Sequence, residues 1–137
     1  MFAKIKDDIL GKDYELSLAL VSEKKSRELN KKWRHKDRAT NVLSFSLTKN
    51  SGELILCPTV IKKELRDENR NFGKTNFDDL LGFLVIHGML HLKGHEHSSK
   101  MDRLEKKYDQ KYFSGNRRGL HHDAGRSGRI RARRKKS

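Results

Sequence analysis

The sequence predicts an α+β fold, a small mixed β-sheet of three to four strands packed with helices, built as one domain over residues 1–113. Three observations carry this. Short segments rich in apolar and β-forming residues, Asp13–Val21, Val42–Leu47 and Glu53–Cys57, have the length and composition of strands. Stretches with apolar residues at helical spacing lie between and after them. One stretch, Asn76–His97, is so apolar that a helix made from it has hardly any face to offer to water, so other elements must enclose it.

In chain order, Asp13–Val21 (DYELSLALV) forms the first strand. Ser22 then caps a helix running to Trp33, because its hydroxyl can accept from backbone N–H groups that the first turn leaves unpaired. Leu29 and Trp33, four apart, face the core, while Lys24, Lys25, Arg27, Lys31 and Lys32 face outward. Val42–Leu47 is the second strand, with Leu43, Phe45 and Leu47 on one face since strand side chains alternate. Lys49–Gly52 turn the chain and Glu53–Cys57 returns as a third strand. Pro58 opens a helix in its first turn, where a missing N–H is harmless, and the helix runs to Asn71 with Val60, Ile61 and Leu65 as a sparse inner face. After His97, Ser98 caps a last helix through Phe113, with Met101, Leu104, Tyr108 and Tyr112 inward. From Ser114 the chain turns to Gly, Arg and Lys with too little apolar surface to fold alone, so residues 114–137 are expected to be a disordered basic arm.

The apolar stretch NFDDLLGFLVIHGMLHLKGHEH holds four of the seven histidines. Asn76 is its N-cap, and Asp78 and Asp79 sit where the helix dipole favours negative charge. His87 and His91 are four apart, so their rings stand one turn apart on the same face and reach one ion. Gly94 suits the left-handed position that closes a helix and lets the chain bring a third histidine back. A helix continued through His95 would separate it from His87 by about 12 Å along the axis, too nearly in line for tetrahedral zinc. His97, delivered by the turn, is the better ligand. This gives a zincin-like zinc helix with the spacing HxxxHxxGxxH of the metzincin proteases, except that Gly88 stands where those enzymes keep their glutamate base. Gly88 is expected to leave space beside the helix. A histidine on an apolar face is most often a hydrogen-bonded core residue, but three with a helix-ending glycine between them are costly to bury for nothing.

Net charge is +14, unevenly spread. The segment Ser114–Ser137 carries nine Lys or Arg against one acid, and Lys24–Arg38 carries eight against two. Such a surface expects a polyanion, and both segments are candidate RNA contacts, against the plain alternative of a solvated face. The single cysteine, Cys57, cannot bridge within the chain and sits in an apolar run as a packed thiol, which fits a reducing compartment. The longest apolar run, Leu80–Ile86, is far short of the roughly 20 residues that span a bilayer, and Met1–Leu10 lacks a signal-peptide core. The expectation is a cytoplasmic protein with no membrane partner.

At these residues the chain resembles the YbeY family of bacterial ribosomal RNA maturation endoribonucleases, whose signature is close to HGxLHLxGYDH; His87–His97 here reads HGMLHLKGHEH. Arg34–Ser46, RHKDRATNVLSFS, resembles the family's RxKDxPTNVLSFP, with Ala39 and Ser46 in place of two prolines whose fixed φ would steady the approach to the strand. The resemblance spans Tyr14–Phe113. It implies one Zn2+ held by His87, His91 and His97. It also implies that Arg34 lies near the zinc cleft, where a planar guanidinium would face a phosphate; the plain alternative is a helix-end arginine paired with Asp37. Glu96 is the candidate to orient a histidine or act as base.

The resemblance thus implies a metal-dependent endoribonuclease directed at single strands, acting with the small ribosomal subunit in late processing of the 3′ end of its RNA. Three imidazoles leave a fourth coordination position for water or a phosphoryl oxygen, and the catalytic set would be Arg34, His87, His91, His97 and Glu96. Two rivals stand beside this. A zinc metalloprotease has the spacing in its favour and Gly88 against it, and a non-catalytic ribosome-assembly factor would use zinc only to hold its fold.

Overall fold

The computed structural model of the chain describes residues 2–72, 75–113 and 129–131. Its elements are α1 (Phe2–Ile9), β1 (Glu15–Leu20), α2 (Glu23–Arg34), β2 (Val42–Thr48), β3 (Ser51–Leu56), α3 (Pro58–Phe72), α4 (Phe77–Lys93), α5 (Ser99–Tyr112) and β4 (Arg129–Arg131). The strands form one mixed sheet in the order β1-β3-β2-β4. β1 runs parallel to β3, β2 antiparallel to β3, and β4 parallel to β2, with Phe45 opposite Ile130.

Alternation along β2 and β3 sorts the core onto two faces of the sheet. Val42, Leu54 and Leu56 join α1, α3, α4 and α5 in the larger cluster, which also takes in Ile5, Ile61, Leu84, Met89 and Met101. Leu43, Phe45 and Ile55 face the other way and meet Trp33 and Leu29 of α2, with the Trp33 and Phe45 rings edge-on at 6.1 Å. The sheet therefore lies between α2 and the other helices. Helix α4 is buried along almost its whole length, as its composition requires.

Three caps fall where the sequence puts them. The side chains of Ser22, Asn76 and Ser98 accept from the backbone N–H groups of Lys25, Asp79 and Met101. Without the two prolines, the approach to β2 is held by side chains: Ser26 Oγ bonds both the N–H and the carbonyl of Thr40, and Asn41 Oδ1 accepts from Val42 N at 2.6 Å.

Two features depart from the sequence expectation. Helix α1 has no counterpart in it, although Phe2, Ile5 and Ile9 sit at helical spacing and Ile5 and Ile9 are buried. It docks through long-range contacts, Lys93 Nζ donating to the Ile9 carbonyl and Lys111 and Tyr112 donating to Asp8. The second is in the C-terminal arm, where Arg129–Arg131 extend the sheet as β4. The expectation of disorder for the rest of residues 114–137 lies outside the described residues.

Candidate metal centre

The helical pair and the turn do what their spacing requires. Helix α4 ends at Gly94, whose φ of 112° is left-handed and whose N–H bonds back to His91 and Leu90. His97 is thereby returned to the helix. One nitrogen from each of His87, His91 and His97 lies within 4.8 Å of the others, a group able to hold a metal ion. His95 is not in this group. Its part is played by its backbone carbonyl, which accepts from His91 Nδ1 at 2.9 Å.

His87 and His91 are each about 1 % exposed, so both rings need partners. His87 Nδ1 is bonded to the carboxylate of Glu105 on α5, itself 2 % exposed. A carbonyl oxygen or a carboxylate can only accept here, so both Nδ1 atoms carry a proton, and each ring in its neutral form presents its lone pair on Nε2. Those Nε2 atoms are 3.0 Å apart. Burial and the neighbouring His87 and His97 rings lower the pKa of His91 to about 3, so the ring is neutral at physiological pH and its lone pair is available. Two lone pairs facing one another call for a cation. Zinc–nitrogen bonds of about 2.0–2.1 Å at a tetrahedral angle set their nitrogens about 3.3 Å apart, close to what the two rings offer. The donor set fits a divalent ion such as zinc.

Glu105 is the residue that sequence reasoning missed. Its signal was its position four residues beyond Met101, on the inward stripe of α5. Glu96, by contrast, is exposed, and the carboxylate bound to a ligand ring is Glu105.

Gly88 needs correction. The space beside it is filled, since a Cβ built there would lie 2.7 Å from Leu54 Cδ2 and 3.2 Å from Ser44 Oγ. The glycine lets α4 lie directly on the sheet, and Ser44 Oγ donates to the Gly88 carbonyl at 3.4 Å. A glutamate at this position would point into the core.

Arg34, at the C-terminal end of α2, lies in a pocket of about 110 Å³ lined by Asn30, Lys36, Arg38, Asn41 and Glu64. None of the three histidines lines that pocket. Burial, and then Arg38, push the Arg34 pKa down. Asp37 pairs with Arg27 at 2.7 Å, so the helix-end pairing of Arg34 with Asp37 is not formed. The outward lysines of α2 are exposed as expected. Among the described residues no helix is long and apolar enough to cross a membrane.

These features define a class: an α+β protein with three histidines able to hold a metal ion, built on a buried helix and its closing turn. A family profile described as Endoribonuclease YbeY matches residues 2–113, and the chain belongs to that family. The match takes in α1, which lies ahead of the resemblance read from Tyr14 onward. Proteins called Endoribonuclease YbeY include one from Francisella philomiragia, 32% identical over 120 residues that cover 76% of this chain and 73% of the relative. Another, from Colwellia psychrerythraea, is 41% identical over 102 residues, 69% of this chain and 63% of the relative. The solution structure of TM1509 from Thermotoga maritima matches with a TM-score of 0.59 at 32% identity, over 81% of this chain and 78% of that one.

Proposed function

We propose that this chain is a zinc-dependent endoribonuclease of ribosomal RNA maturation, cutting single-stranded RNA near the 3′ end of the small-subunit RNA in the cytoplasm. The observation that carries the reading is the convergence of the His87, His91 and His97 nitrogens within 4.8 Å, in a chain matched by this family over residues 2–113. The family match favours RNA over peptide as substrate, and the tight packing of Gly88 against Leu54 leaves no room for a protease's glutamate base. Among the described residues the group has three ligands, as opposed to four, which favours a reactive ion over a structural one.

His87, His91 and His97 would hold a metal ion, which would supply Lewis acidity for phosphodiester cleavage. The chain's own groups do the rest. His87 and His91, each held through Nδ1 by an acceptor, present their Nε2 atoms without rearrangement. Arg34, permanently charged, is assigned to the phosphate, where its planar fork would balance charge developing on the equatorial oxygens. Glu96, exposed beside His97, is assigned as the proton acceptor. The basic face of α2 within Lys24–Arg38, together with the arm 114–137, is assigned to the RNA backbone of the small ribosomal subunit, with residues 1–113 as the catalytic domain.

The test is cleavage of a precursor of small-subunit ribosomal RNA by the purified chain, beside an unstructured peptide substrate. RNA cleavage abolished by a chelator and restored by zinc, with the peptide intact, is the expected result. Peptide cleavage without RNA cleavage would reverse the assignment.

A further inference from the structure

We propose that Glu105 is a positioning residue of the metal centre: its buried carboxylate fixes the tautomer and tilt of His87, which makes α5 part of the centre. The inference rests on the reading of His87, His91 and His97 as metal ligands.

Glu105 is 2 % exposed, and a carboxylate stripped of water is costly to keep unless it is paired. Met101, Glu105 and Asp109, four apart, are the buried residues of α5. Met101 joins the apolar cluster, whereas Glu105 reaches across to His87 Nδ1 on α4, eighteen residues back along the chain. Stability alone does not explain an acid at this point, because a well-packed apolar residue of similar volume commonly serves as well as a buried ion pair. What the carboxylate adds is direction. It accepts a hydrogen bond from Nδ1–H, so Nε2 is the nitrogen left facing His91 and His97, and its negative charge raises the basicity of that nitrogen.

The three rings are not treated alike. His87 is oriented by a carboxylate and His91 by the His95 carbonyl, while His97 stands exposed on the turn and makes only ring contacts with the other two among the described residues. Two of the three rings are thus oriented by groups outside the ligand set. Imidazole ligands bring no negative charge of their own, so Glu105 would supply one near a bound ion. Its removal is therefore felt at the metal more than a neutral contact would be.

The experiment measures zinc affinity by chelator competition at a fixed neutral pH, and the visible spectrum of the Co2+-loaded protein, for wild type, Glu105→Gln, Glu105→Ala and Met101→Leu. Glu105→Ala is expected to bind zinc about 10- to 100-fold more weakly. Glu105→Gln keeps an acceptor oxygen without the charge and falls between. Met101→Leu, on the same stripe, keeps wild-type affinity and the wild-type Co2+ bands even if its melting temperature changes. Should Glu105→Ala fail to fold, the near-isosteric Glu105→Gln decides alone. Affinities of the Glu105 variants within twofold of wild type, or an equal loss in Met101→Leu, would overturn the proposal. Wild-type protein that takes up neither ion would overturn the metal reading and this inference with it. Uptake by wild type with unaltered Glu105 variants overturns the inference alone.

Discussion

His91 and His95 are joined by a hydrogen bond from the ring Nδ1 of the first to the backbone carbonyl of the second, 2.9 Å long and spanning the turn at Gly94. The turn thus has two tasks. It returns His97 to the helix, and it fixes the tautomer of a ligand with a main-chain atom. The His95 side chain contributes to neither.

Gly94 should therefore be sensitive to substitution in two readouts. Its φ of 112° is a conformation that side-chain-bearing residues adopt only with strain. Gly94→Ala should lower the unfolding free energy by about 1–2 kcal/mol in urea titration and also weaken metal binding. A variant with unchanged midpoint and unchanged affinity would show that the turn does not shape the site.

Gly88 is a test of the sheet contact. In Gly88→Ala a gain in helix propensity of about 1 kcal/mol is set against overpacking of Leu54, typically about 1–3 kcal/mol, leaving a small net loss. Gly88→Glu, which restores the protease-like spacing, buries a carboxylate against Leu54 and Ser44 and should cost more than about 3 kcal/mol with no peptidase activity gained. Denaturant unfolding measures both. A stable Gly88→Glu protein would mean that the position is open after all.

Asp8 makes the packing of α1 pH-dependent. Hydrogen bonds from Lys111, then Tyr112, lower its pKa from the ordinary 3.8, and their lengths are 2.6 and 2.7 Å. A carboxyl whose folded pKa is depressed contributes stability above its unfolded value and loses it as pH falls through the folded one. The clasp is open to solvent, which screens it, so its contribution is small. Asp8→Asn should melt below wild type at neutral pH, and the gap should close as pH drops below about 4. A gap that stays constant through that window would mean the carboxylate's charge is not what holds α1.

What could be read from the sequence was local in cause. Ser22, Asn76 and Ser98 announced three helix starts, and Gly94 announced a stop, because capping depends on residues within one turn. His87, His91 and His97 were legible because helical spacing and one glycine suffice to bring them together. Glu105 was not, since periodicity assigns a charged residue to the water side and only the crossing of α4 and α5 shows otherwise. Helix α1 was hidden by Lys4, Lys6, Asp7 and Asp8 around its narrow Phe2, Ile5 and Ile9 stripe, and its docking depends on residues more than eighty positions away. Gly88 was misread because a glycine's sequence neighbours do not tell whether its bare side is open or filled; Leu54 fills it.

The most direct measurement of the central claim is the number of metal ions retained per chain after dialysis, determined by elemental analysis for wild type, His97→Ala and His95→Ala. One ion is predicted for wild type and for His95→Ala, whose backbone carbonyl survives the substitution, and a clear loss for His97→Ala. Full retention by His97→Ala would contradict the three-histidine centre.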